Sequence, residues 1–238
     1  MNLLTALTLI STLSLGALCA APAPQKNPAP LAGQTKPSSY CYFIPPKGWE
    51  IVNPQKLTGR VQVQFLGKSN KGFYPSLNLA TENINLTLPE YVKAVKKIHE
   101  MDHNTTWRDL GKISTQGGEA QLTQIDTATS SGSVRILQVL LLKDNTVYIL
   151  TASALKEEFA AYYKEFEKAF KSLTITQDLI NNVPQPERRE KLKASIAGIT
   201  IQNLHTLEKM LGKEFADMGL YWQFLMLQSA LQNSAASK

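Results

Sequence analysis

The chain has 238 residues, of which 43% are hydrophobic and 18% charged, and this is the composition of a globular protein. The length is enough for one domain with a full core and an extension. The formal net charge of +6 favours acidic partners, anionic surfaces or simply solubility, but it is too small to indicate a nucleic-acid-binding protein.

Residues 1–20 have the pattern of a secretory signal peptide. The apolar run Leu3–Leu18 is followed by small residues and proline, and it is too short for a membrane anchor, although it lacks the usual positive charge at its start. We expect cleavage after Cys19 or Ala20 and a protein that is periplasmic or secreted. Leu18 stands where a lipoprotein signal needs a small residue, which argues against lipid anchoring at Cys19.

Three further segments are predicted after the signal peptide. Residues 21–39 are rich in proline and alanine and have little to bury, so we expect a disordered linker. Residues 40–176 form the predicted folded domain. Residues 177–238 contain two helical patterns and form a predicted helical extension.

Cys41 is the cysteine that remains if Cys19 is removed, so the mature chain cannot form an internal disulfide bond. It lies in the predicted strand "YCYFI". We interpret it as a small buried residue, and a reactive thiol or an intermolecular bridge is the alternative.

The predicted domain begins with strand patterns and one amphipathic helix. Apolar residues alternate with glutamines in Gly59–Lys68, and a second alternating segment is Pro75–Ile84. Thr87 and Glu90 form a capping-box pattern. An apolar series at helical spacing follows to Ile98, so a helix is predicted here.

The second half of the domain contains the predicted central strands. A strand pair is expected on either side of the turn Gln116–Gly118. Val134–Leu142 and Thr146–Ala154 are apolar on both faces, which is typical of strands covered on both sides. The helix Lys156–Leu173 carries aromatic residues at helical spacing and supplies one of the two covers.

This order of elements resembles the PsbP-like superfamily over residues 40–175. The matching features are Pro46–Trp49 ("PKGW"), the run "NTVYILTASA", and a helix that ends in "AFKSLTI" at Ala169–Ile175. The resemblance implies an α+β fold, an α/β/α sandwich around a mainly antiparallel sheet, and the helical extension lies outside it. It also implies a non-catalytic protein that binds or assembles other proteins, with no shared catalytic residues and no cofactor.

The segment "IHEMDH" contains His99, Glu100 and His103 at the spacing of a zinc-hydrolase helix. Such a site needs both histidines on one helical face and a third ligand. A continued helix would place Asp102 near the middle of the apolar face, so we expect the helix to end near Glu100 or Met101. His103 would then lie in a loop, and no metal site is predicted. A zinc hydrolase with these residues is the alternative. A histidine at a helix C-terminus has its own rationale, because the helix dipole favours a cation there.

The C-terminal segment Gly219–Leu231 is apolar and aromatic but too short to span a bilayer. Packing within the protein is the first interpretation. A partner groove or peripheral membrane contact is the second, since exposed apolar patches mark interfaces. The residues of this partner-site hypothesis are Tyr221, Trp222, Phe224 and Leu225.

The sequence therefore predicts an exported, non-catalytic protein-binding or assembly factor that does not bind nucleic acid. A zinc-dependent hydrolase is one alternative. A secreted host-interaction factor is the other, and the sequence does not separate it from the first interpretation.

Overall fold

The computed structural model describes residues 39–69, 71–197, 199–200 and 203–236. The predicted signal peptide and nearly all of the predicted linker lie outside these residues. Within them the chain forms nine strands and five α-helices. The strands are β1 Tyr40–Tyr42, β2 Glu50–Ile51, β3 Val61–Leu66, β4 Ser76–Asn83, β5 Thr105–Thr115, β6 Gly118–Thr129, β7 Gly132–Lys143, β8 Thr146–Leu155 and β9 Thr174–Thr176. The helices are α1 Leu88–Glu100, α2 Phe159–Lys171, α3 Pro186–Ala197, α4 Leu204–Glu214 and α5 Leu220–Ala236.

The contacts divide the chain into two units. Unit one contains the described residues from Pro46 to Lys171. Unit two contains those from Ser39 to Pro45 and those from Ser172 onward, so it joins β1 and β9 with the C-terminal helices. The predicted boundaries at residues 20, 39 and 176 stay predictions.

Unit one is built on a seven-stranded antiparallel sheet with the order β2-β3-β4-β8-β7-β6-β5. The turn between β7 and β8 is formed by Asp144 and Asn145, which both have positive φ angles, as a tight hairpin requires. Strands β7 and β8 are buried on both faces, as their continuous apolar sequences predict. The predicted α+β class with a mainly antiparallel sheet is confirmed.

Helix α1 covers one face of this sheet. Its N-terminus has the predicted capping box, in which the Thr87 backbone N–H donates to Glu90 at 2.8 Å. Tyr91 and Val95 pack against β7 and β8, where Leu140 is a central contact. The apolar spacing of the helix is therefore explained by burial against the sheet.

Helix α2 covers the opposite face. Leu137 of β7 shares a cleft with Phe159 of α2, and it points away from Leu140 because their separation along the strand is odd. Phe166 of the helix lies fully buried, with its ring 5.9 Å from the ring of Trp49. Helices on both faces give the layered arrangement that the sequence predicts.

Gly67 makes the close approach of Trp49 possible. A Cβ atom at residue 67 would lie 2.8 Å from the indole ring and 2.9 Å from Pro75. The sequence analysis did not identify this glycine, because the need for it arises only when two distant segments pack together.

Unit two has a small two-stranded sheet and a core centred on Trp222. Strand β1 pairs with β9, with Cys41 opposite Ile175. The Trp222 indole N–H donates to the backbone oxygen of Leu179 at 3.2 Å, and its ring stacks on Phe215 at 5.9 Å. Cys41 is buried, so its interpretation as a small core residue is confirmed.

An arginine fixes helix α3 to the following helices in unit two. The guanidinium group of Arg188 donates to both carboxylate oxygens of Asp217, at 3.0 and 2.6 Å, and to the backbone oxygen of Glu214 at 2.6 Å. It also lies 4.7 Å from the centre of the Phe215 ring. A bidentate pair of this kind fixes the orientation of the two segments that it joins. Helix α3 depends on such contacts because Leu192 is its one buried residue.

Candidate functional site

A cleft lies between the sheet and helix α2 of unit one. Its volume is about 340 Å³, within the range of ligand-sized sites. Three strands and the first half of the helix provide its walls. The lining residues are Leu110, Leu122, Gln124, Arg135, Leu137, Lys156, Phe159, Ala160 and Tyr163.

A β-bulge brings Leu110 into the cleft. The ladder between β5 and β6 shifts register between Asp109 and Gly111, so Leu110 has no cross-strand partner. Gly111 has a φ of 86°, which favours glycine, and its N–H donates to the Asp109 carboxylate at 2.8 Å. The Gln121 amide donates to the backbone oxygen of Gly111 at 3.0 Å and also to Asp109. Bulges of this kind re-aim side chains and are common beside binding sites.

The mouth of the cleft exposes two large apolar side chains. Leu110 on edge strand β5 and Tyr163 on helix α2 are each 45% exposed. Phe159 and Leu137 behind them are buried. The cleft therefore has a closed apolar floor and an open apolar rim, and folding of unit one leaves that rim in water.

One end of the cleft carries a charge cluster of Arg135, Asp126 and Lys156. The Asp126 carboxylate accepts two hydrogen bonds from Arg135, at 2.8 and 2.9 Å, and one from Gln124 at 3.2 Å. The Lys156 ammonium lies 3.4 Å from the same carboxylate. The Arg135 guanidinium also lies 5.7 Å from the centre of the Phe159 ring.

These contacts fix the protonation states at this end of the cleft. The hydrogen bonds from Arg135 hold the pKa of the Asp126 carboxyl below its usual value. The same bonds raise the pKa of Arg135. Asp126 is therefore ionised at neutral pH, and the cluster of two cations and one carboxylate carries a net charge of +1.

The cleft offers surfaces for binding. Its aliphatic and aromatic side chains can bury an apolar group, and its cations can pair with an anion. The histidines of the chain lie elsewhere, since none is among the lining residues.

Helix α1 ends at Glu100, as predicted, and this separates the residues of the "IHEMDH" segment. His99 and Glu100 lie in the last turn of the helix, Met101 caps it, and His103 lies in the following turn. Asp102 is exposed and accepts hydrogen bonds from Asn104 and Thr105, at 2.9 Å each. The helical geometry of a zinc-hydrolase pair is therefore not formed.

The helix dipole favours a cation at the position of His99, but the pKa of this histidine is lowered. Burial lowers the pKa of His99, and the nearby Asp102 opposes this shift less strongly. The Nε2 atom of His99 is buried, and it neither accepts nor donates a hydrogen bond within the described residues. Burial of the ring, with its Nε2 atom inaccessible to water, is the larger effect.

Among the described residues, no group of three or more His, Cys, Asp or Glu side chains is placed to hold a metal ion. No helix in the described part of the chain has the length and apolarity needed to cross a membrane.

The C-terminal residues of the partner-site hypothesis differ in exposure. Tyr221 and Trp222 are buried, and the Tyr221 ring packs 5.9 Å from Phe43 within unit two. Phe224 and Leu225 on the next turn of α5 are half-buried. Packing within the protein therefore explains Tyr221 and Trp222, and the hypothesis remains open for Phe224 and Leu225.

The sequence analysis did not identify the cleft. Leu110 reads as an ordinary apolar residue of a strand, because the bulge that exposes it depends on Gln121 from the neighbouring strand. The one local signal is the segment Asp109-Leu110-Gly111, in which two turn-forming residues, aspartate and glycine, interrupt the strand pattern.

No family model and no curated protein matches this chain. Several solved structures are similar to it. LpqN of Mycobacterium tuberculosis, described as involved in cell envelope biogenesis, has 14% identity and a TM-score of 0.45 over 62% of this chain and 90% of that one. PsbP (CyanoP) of Synechocystis has 12% identity and a TM-score of 0.42 over 63% of this chain and 98% of that one. The Ran-binding protein Mog1p of Saccharomyces cerevisiae has 16% identity and a TM-score of 0.36 over 55% of this chain and 80% of that one.

These likenesses concern the fold alone. A PsbP is among the similar structures, as the order of motifs predicts.

Proposed function

We propose that this chain is a non-catalytic binding protein that recognises a protein partner through the cleft of unit one. Export from the cytoplasm is part of the proposal and rests on the signal-peptide pattern of residues 1–20. The periplasm or the exterior of the cell would then be the place where the partner is met.

The observation that carries the proposal is the exposure of Leu110 and Tyr163 at one apolar cleft. They are two of the five exposed large hydrophobic side chains among the described residues. Single exposed apolar residues are common, but two on the rim of one concave apolar surface are typical of an interface. Burial of such side chains by a partner would contribute about 1–2 kcal/mol each.

The zinc-hydrolase alternative finds less support, because His103 lies outside the helix that carries His99. A secreted host-interaction factor would use the same binding surface, and its distinction from other exported binding proteins depends on the partner. Phe224 and Leu225 provide a second, smaller surface that a partner could contact.

Site-specific photo-crosslinking tests the proposal. A benzophenone amino acid replaces Tyr163 in cells that make the protein naturally, and a matched sample carries it at Met101. Met101 is an exposed apolar residue of the same unit, 74% exposed, at the end of α1 on the other side of the sheet. We expect a discrete crosslinked protein from residue 163 that is absent from residue 101.

A second variant makes the result specific to the cleft. Leu110→Ser in the Tyr163-labelled protein should remove the crosslinked product while leaving the circular dichroism spectrum unchanged. The same products from both labelled positions, or a product that Leu110→Ser leaves unchanged, would contradict the proposal.

A further inference from the structure

We propose that the element bound in the cleft is an acidic peptide segment, in which a carboxylate lies beside one or two apolar side chains. This inference rests on the proposed function and adds the chemistry of the partner. The charges at the end of the cleft are unequally exposed, and the more exposed ones are positive.

The exposed charge at the cleft is positive. The side chains of Lys156 and Arg135 are 51% and 27% exposed, whereas the Asp126 side chain is 13% exposed. An approaching group therefore meets the ammonium and guanidinium groups before it meets the carboxylate. Charge complementarity selects an anion at this position.

The hydrogen-bonding capacity of the cluster points the same way. Asp126 already accepts two bonds from Arg135 and one from Gln124. Arg135 has five N–H donors, of which its pairing with Asp126 uses two. Donors remain for a ligand at this end of the cleft, and a carboxylate is the peptide group that accepts from them most strongly.

The surrounding residues add to the positive charge. Arg108 is exposed on β5 and lies directly opposite Gln124 in the ladder, so both project on the face that carries the cleft. Glu157, which follows Lys156 along the chain, is paired with Lys71 at 2.6 Å and is not among the lining residues.

The apolar part of the ligand follows from the rest of the cleft. Leu110, Leu137 and Phe159 form an apolar surface that continues from the charged end to the open rim at Tyr163. A volume of about 340 Å³ accommodates side chains of a short segment rather than a whole helix. The bulge at Leu110 also interrupts the edge of β5, so strand addition along its whole length is disfavoured.

Three synthetic peptides test the inference. They share the sequence acetyl-Ala-Leu-Xaa-Phe-Ala-amide, where Xaa is Glu, Gln or Lys. Binding to the whole mature chain is measured by nuclear magnetic resonance, from the backbone amide shifts of the cleft residues. We expect the Glu peptide to bind roughly three- to fivefold more tightly than the Gln peptide at low salt, and the Lys peptide to bind most weakly. High salt should reduce the difference.

A charge reversal tests the role of the lysine. Lys156→Glu should make the Lys peptide the tightest of the three. Lys97→Glu is the matched control, because Lys97 is an exposed lysine of α1 on the opposite face and the change in net charge is the same. The control should leave the order of affinities unchanged.

Four results would overturn the inference. The first two are equal affinities for the Glu and Gln peptides, and an order of peptide affinities that Lys156→Glu does not change. The third is no shift of cleft amides with any peptide at millimolar concentration. The fourth is a shift of cleft amides on removal of residues 21–38, which would make the chain's own N-terminal segment the occupant. Equal binding of the Glu and Gln peptides would leave the proposed function standing. Failure of the Tyr163 crosslink would contradict the proposed function itself.

Discussion

The substitution Tyr91→Phe tests how the sheet of unit one holds a buried carboxylate. The Glu82 side chain is 4% exposed, forms an ion pair with Arg60 at 2.5 Å and accepts a hydrogen bond from the Tyr91 hydroxyl at 2.9 Å. Tyr91→Phe removes that donor and leaves a buried anion with one fewer partner. A hydrogen bond to a charged group contributes roughly 1.5–3 kcal/mol, and we expect a loss of about 2 kcal/mol because Arg60 remains.

Urea unfolding followed by circular dichroism measures this loss. For a chain of this size, about 2 kcal/mol corresponds to a fall in Tm of roughly 4–8 °C. Tyr163→Phe is the control, since its hydroxyl is on an exposed ring, and it should change the stability by less than about 0.5 kcal/mol. Equal stability of Tyr91→Phe and the unmodified protein would refute the account of Glu82.

The pH dependence of the same pair gives an independent check. Burial, and after it the charge of Glu82, raises the pKa of Tyr91 above its unfolded value of about 10. The folded state thus favours the protonated phenol, and this stabilisation is complete below about pH 10 and is lost as the pH rises further. The stability advantage over Tyr91→Phe should therefore shrink above about pH 10.

The remaining predictions concern the thiol, the buried histidine and the metal. Burial raises the pKa of the Cys41 thiol. In the mature chain the thiol should therefore react with a disulfide reagent at pH 8 only when unit two opens. Reaction at the rate of a free cysteine would contradict this prediction. The lowered pKa of His99 means that the folded state favours the neutral ring, so stability should fall as the pH drops below about 6.5. His99→Gln should reduce that dependence, and an unchanged pH profile would show that His99 is not its source. Mass spectrometry of protein dialysed against trace zinc should find no stoichiometric metal, whereas one zinc per chain that is lost in His99→Ala would restore the hydrolase hypothesis.

The sequence predicted the parts of the fold that depend on local pattern. The capping box at Thr87 and the apolar spacing through Val95 located α1, and the two-faced apolar sequences of β7 and β8 located the centre of the sheet. The end of the helix at Glu100 followed from Asp102, whose charge would otherwise have been buried. Each of these signals lies within one element, so it can be read without knowledge of the rest of the chain.

The parts that were missed depend on contacts between distant residues. Gly67 is needed because Trp49 packs against it, and the bulge at Leu110 is stabilised by Gln121 from another strand. The apolar pattern of α5 identified Tyr221 as a partner-site residue. A sequence pattern alone does not distinguish an apolar residue that packs inside the protein from one that stays exposed.

The candidate cleft was not predictable for the same reason. Its walls come from three strands and from a helix that follows them in the chain, so its residues extend from Leu110 to Tyr163. The charge cluster joins β6, β7 and the turn before α2, and its net positive charge results from two cations that meet one carboxylate there rather than from a basic run in the sequence.

The affinity of the crosslinked partner for the purified protein tests the central claim most directly. Leu110→Ser should weaken binding roughly tenfold or more, because the partner would no longer bury this side chain. Met101→Ser, which removes a still more exposed apolar side chain elsewhere in unit one, should leave the affinity within about twofold. Equal affinities of the unmodified protein and Leu110→Ser would contradict the assignment of the cleft as the binding site.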